Sequence, residues 1–159
     1  MPQDKNRQFL DFERPIKELF EDIEALRQRA EKSKVDHSDT IKKLEDRVRY
    51  NTYDEIKIRQ QKNFAQEMSQ ALEFIKNDCF GIEIDLDAIP NIPSSAMTLS
   101  GFSVEELRQF IYYFSKNKNA SYLHICEGAP SLGEEKNNHL IGKLIGYLVT
   151  DFIKGNNES

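Results

Sequence analysis

Apolar residues recur along this chain with two different periods, and the change of period divides it. Ile16, Leu19, Phe20, Ile23 and Leu26 follow steps of three and four, which is one face of a helix. Pro15 sits in its first turn, where a missing N–H costs nothing. Glu18, Glu21 and Asp22 lie toward the positive N-terminal end, and Arg27 and Arg29 toward the negative one. Residues 32–38 are polar and predict a turn. Ser38, Asp39 or Thr40 then caps a second helix striped by Ile41, Leu44 and Val48. That stripe is thin, so the predicted hairpin needs a partner surface. A third helix is expected over residues 53–77, with Phe64, Met68, Ala71, Leu72 and Ile75 on its buried side.

The period then shortens. Residues 79–86 predict a buried strand, ended by Pro90 and Pro93. Residues 88–101, rich in Pro, Ser and Gly, predict a loop. Ser103 caps a helix with Val104, Leu107, Ile111 and Phe114 inward. Residues 122–126 predict a second buried strand and residues 128–138 a polar loop. An apolar helix over 140–153 follows, in which Gly142 and Gly146 allow close packing. Strand and helix alternating in this way predict parallel strands with right-handed crossovers. Two strands are few for a sheet covered on both faces, so the expectation is the rear part of a doubly wound domain whose front is absent. The expected fold class is helix-rich α/β: an N-terminal helical hairpin over residues 1–48, a partial doubly wound parallel sheet over 49–154 and a disordered tail over 155–159. The open edges of so small a sheet invite self-association.

Composition narrows the field. Among 159 residues, 10 Phe and 6 Tyr supply core material despite a charged fraction of 31%. No apolar run is long enough to span a membrane, and the N-terminus has no apolar signal segment. Two cysteines make no disulfide framework, so a reducing cytoplasm is the expected location. Residues 1–63 carry 15 Lys and Arg against 14 Asp and Glu, and residues 64–159 carry 7 against 13. Neither part has the basic balance that nucleic acid requires, and the contrast suggests two regions with different roles.

Asp85 and Asp87 fall at the exit of the first predicted strand, the end that faces the crevice in open α/β sheets. Two close carboxylates repel unless a cation such as Mn²⁺ or Mg²⁺ lies between them. The alternative is a solvated loop carboxylate beside a capping Asp. Glu127 takes the matching place after the second strand, as a second acidic group or as an acceptor for loop N–H groups. His124, inside an apolar run, is expected as a core histidine, and Cys79 and Cys126 as buried, inert thiols. His37 and His139 lie in polar segments. No Cys-x-x-Cys pair, phosphate-cradling glycine loop or Ser–His–Asp order is present.

Residues 81–89 (GIEIDLDAI), 94–103 (SSAMTLSGFS), 122–130 (YLHICEGAP) and 141–154 resemble, in order and spacing, the C-terminal part of the arginase family, nearest its formimidoylglutamase-like branch. The resemblance spans residues 49–154. It implies a two-manganese hydrolase of guanidino or formimino C–N bonds. Asp85 and Asp87 would be metal ligands, Glu127 would orient the substrate's cationic nitrogen, and Thr98 would stand on the substrate side. A metal-bridging hydroxide would attack the planar carbon. Pro90 stands where many members have a third acidic residue, and Leu99 where a proline is frequent. The family's upstream His and Asp-x-His-x-Asp ligand motifs have no counterpart, and His37-Ser38-Asp39 lies in the hairpin. The expectation is a truncated or chimeric hydrolase, inactive alone.

Residues 9–19 (FLDFERPIKEL) and 35–45 (VDHSDTIKKLE) resemble the leading helices of the α subunit of bacterial acetyl-CoA carboxylase carboxyltransferase, over residues 8–48. In that family these helices help subunits associate. The alternative expectation is therefore an interaction module that binds carboxyltransferase subunits, with the rest of the chain a passenger.

Overall fold

A computed structural model describes residues 14–33, 36–45, 47–130 and 138–159. Residues 9–13 of the carboxyltransferase-like stretch, Lys34 and Val35 of the predicted turn, and residues 131–137 of the predicted polar loop lie outside the described residues. The chain forms two compact units, residues 1–51 and 52–159.

In the first unit, α1 (Arg14–Ser33) and α2 (Ser38–Glu45) make the expected hairpin. Leu19 and Ile23 on α1 are buried, whereas α2 has no buried residue. Ile41, Leu44 and Val48 are half-buried at best. Asp36 provides the cap: its carboxylate accepts from the Ser38 N–H at 2.9 Å and from the Ser38 hydroxyl, and these bonds hold it below the usual carboxylate range. Arg27 pairs with Glu45 across the hairpin, and the rings of Phe20 and Tyr50 meet edge to face at 6.4 Å.

The second unit opens with a π-helical turn, Asp54–Ile58, closed by Arg59 N–H donating to the Asp54 carbonyl at 2.8 Å. The helix expected over 53–77 is broken here, because residues 59–63 are all polar and offer nothing to bury. Gln60 takes a left-handed conformation (φ 50°), and Asn63 caps a new helix by accepting from Gln66 N–H. That helix is α3 (Phe64–Ile75). Then come β1 (Phe80–Asp85), a 3₁₀ turn (Leu86–Ala88), α4 (Val104–Ser115), β2 (Ala120–Cys126) and α5 (Asn138–Asn157). Ser103 and Glu106 form a reciprocal capping box at the start of α4.

The strands pair in parallel, Ile82 beside Leu123 and Ile84 beside Ile125. These side chains join Met68 of α3, Ile111 and Phe114 of α4, and Ile141, Leu144 and Leu148 of α5 in one apolar cluster. Alternation sends Glu83 and Asp85, with Tyr122 and His124, to the other face, where all four are exposed. The fold is thus helix-rich α/β with a parallel pair, but its strands bury one face only. His124 is correspondingly not a core residue, and Cys79, expected to be buried, is exposed.

Gly142 and Gly146 do not mediate close packing; a Cβ on either would meet nothing within 4 Å. Gly155 does, since a Cβ there would stand 1.8 Å from Ser115 Oγ and 2.9 Å from the Tyr112 carbonyl. Beside that contact Arg108 of α4 clamps the largely buried Asp151 of α5 with bonds of 2.6 and 3.2 Å. α5 continues to Asn157, so most of the expected tail is helical. No helix among the described residues is long and apolar enough to cross a membrane.

Leu148 is fully buried at the centre of the α4–α5 packing. Leu148→Ala should cost about 2–5 kcal/mol of unfolding free energy, read from urea denaturation. A loss within experimental error would show that this cluster is not the core.

Candidate functional site

The exits of β1 and β2 are tied together by the loop between them and α4. Ser94 makes an isolated antiparallel bridge with Gly128. Ser95 N–H donates to the Glu127 carbonyl at 3.1 Å, and Ala129 N–H to the Pro93 carbonyl at 3.1 Å. This bridge carries Glu127 in a left-handed conformation (φ 63°), which a residue with a Cβ seldom adopts.

Within that frame the acidic residues separate. Asp85, the last residue of β1, caps the 3₁₀ turn by accepting from Asp87 N–H at 2.8 Å. Asp87 accepts from Ala96 N–H at 2.9 Å through Oδ1 and from the Ser95 hydroxyl at 3.1 Å through Oδ2. The Ser95 hydroxyl also contacts Glu127. Asp87 and Glu127 therefore meet on one serine, whose single proton serves one carboxylate at a time. Burial pushes Asp87 upward, but Ser94, the Ala96 N–H and Ser95 together outweigh it and hold the carboxyl below its usual range. Ser94 is 1% exposed, and its Oγ reaches no partner at full hydrogen-bond geometry among the described residues.

Thr98 does not join this group. Its hydroxyl donates to the Ser100 carbonyl at 2.9 Å and accepts from Ser100 N–H at 3.2 Å, while its carbonyl accepts from Asn91 N–H. Tyr53 closes the same loop from beneath by donating to the Gly101 carbonyl at 3.1 Å. Gly101 has no room for a side chain, since a Cβ would lie 2.1 Å from the Ala88 carbonyl oxygen.

The donor set does not fit the manganese pair implied by the arginase resemblance. No group of three His, Cys, Asp or Glu that could hold a metal ion gathers among the described residues. The arrangement acts instead as a polar latch that fixes the loop over the sheet.

A second polar cluster, not foreseen in the sequence, lies on the open face. Glu83 receives His124 Nδ1 and the Tyr122 hydroxyl. Burial raises Glu83, and the two hydrogen bonds outweigh it, leaving the carboxyl low; Glu83 in turn raises Tyr122. The signal was available in the alternation of Glu83 and Asp85 with isoleucines, which marks a half-solvated strand. Cys126 is half-buried, and its thiol is pushed up first by burial and then by Asp85 and Glu127, which keeps it protonated and inert. Cys79 Sγ instead meets Ser121 Oγ at 2.7 Å on the surface.

A model of the acetyl co-enzyme A carboxylase carboxyltransferase-like family matches residues 9–80. The match runs past the hairpin, through α3 and up to the first residue of β1. Residues 49–80, assigned to the arginase resemblance in the sequence, therefore fall in the carboxyltransferase-like stretch, and no comparison supports the arginase family. No match to a curated protein or to a solved structure is found.

Two outcomes follow. Asp87 is depressed in the folded chain, so its contribution to stability is present above the unfolded carboxylate pKa of about 3.9 and is lost as pH falls through the folded value. The stability gap between wild type and Asp87→Asn should be full at pH 7 and close in acid; a gap constant down to pH 2 would contradict the latch. Mn²⁺ should leave the thermal midpoint unchanged, whereas a site filled at a hundredfold excess over Kd would add about 2.7 kcal/mol.

Proposed function

We propose that the chain is an interaction module of the carboxyltransferase type, whose helical hairpin docks on a carboxyltransferase subunit, rather than a hydrolase. One observation carries the reading. The stretch matched by the carboxyltransferase-like family contains a helix, α2, that buries none of its residues, so Ile41 and Leu44 keep apolar surface for a partner. A short helix with so little intramolecular packing gains its stability from association. Lys42 and Lys43 flank the stripe and keep its border charged.

The test is isothermal titration of the full chain with purified carboxyltransferase α and β subunits. Saturable binding is expected, weakened at least tenfold in Ile41→Asp/Leu44→Asp, a pair of changes on a helix without buried residues. No heat and no co-elution with either subunit would contradict the proposal.

A further inference from the structure

Among the described residues, β1 and β2 pair only with each other, so each keeps one unpaired side. The two sides are protected unequally. β1 carries Glu83 and Asp85, and charge on an edge strand is a usual device against edge pairing. β2, ASYLHIC, has no Asp, Glu, Lys, Arg or proline; Ser121 is skipped in the pairing with β1, and residues 122–126 run in regular register. Leu123 and Ile125, although on the core side, are only half-buried, and Tyr122 is 52% exposed.

We propose that β2 pairs antiparallel with β2 of a second copy about a two-fold axis at Leu123. Antiparallel pairing places residues of the same face opposite each other. In this register Tyr122 lies opposite His124 of the second copy on the open face, and the two Leu123 residues meet on the helix-bearing face. Neither contact opposes like charges, and an aromatic pair with an imidazole adds favourable contact. The corresponding β1 pairing about Glu83 would set two carboxylates against each other. Charge thus selects β2 and the second copy as its occupant. The product is a mixed four-stranded sheet with β1 outermost on both sides, and the acidic outer strands stop further growth. Such an isologous contact closes on itself.

Size-exclusion chromatography with light scattering on the full chain should give twice the 18.5 kDa chain mass. Tyr122→Lys/His124→Lys should halve that mass. Each new lysine has Glu83 of its own chain beside it, while four lysines would crowd the two-fold axis. Hydrogen exchange provides the second reading: protection of the β2 amides should fall on dilution while that of α4 does not. A wild-type mass of one chain, a dimer unaffected by a folded double variant, or β2 protection independent of concentration would overturn the proposal.

Discussion

One constraint organises the second unit: a two-stranded sheet can be buried only if helices supply the apolar surface that further strands would otherwise provide. Ile82, Ile84, Leu123 and Ile125 present four side chains, too few to close a core. α3, α4 and α5 close it from one side, and Leu86, Ile89, Ile111 and Leu148 at its centre are almost wholly removed from water. α3 is part of this closure through Met68, with Phe64, Leu72 and Ile75 packed around it. The carboxyltransferase-like match ends at residue 80, after α3, whereas the compact unit begins at residue 52. The limit of the match is therefore not a limit of folding. A helix belonging to the matched stretch is built into the core that the remainder of the chain needs.

The same one-sidedness explains the polar chemistry. The loop leaving β1 has no second helical layer to lie against, so it is fixed by hydrogen bonds: Asp85 to its turn, Asp87 to Ala96 and Ser95, Ser95 to Glu127, Tyr53 to Gly101. The carboxylates at the strand exits thus hold backbone and hydroxyl groups of the loop. The open face is likewise self-satisfied, with Glu83 shared by His124 and Tyr122. Tyr122 lies flat over Gly81, where a Cβ would come within 2.0 Å of its ring.

Local signals were legible where one interaction decided them. The Ser103–Glu106 capping box, the exits of both strands and the apolar stripes of α3 and α4 all follow from residues close in sequence. The errors share one cause, which is that burial depends on partners far along the chain. A strand of sequence Tyr-Leu-His-Ile-Cys looks buried throughout when the number of covering layers is unknown, yet His124 is exposed because helices cover only one face. Gly142 and Gly146 look like contact glycines on an apolar helix, but the helix turns Ile141, Leu144 and Leu148 inward and brings Gly155 against Ser115 instead. The meeting of Asp87 and Glu127 on Ser95 depends on the Ser94–Gly128 bridge, which no spacing encodes.

The most direct measurement compares two fragments by urea denaturation followed with circular dichroism. Residues 52–159, which retain α3, should unfold in one sigmoidal transition, and residues 78–159, which keep both strands but lack α3, should show none. A cooperative transition in the shorter fragment, or its absence in the longer one, would contradict a core that α3 completes.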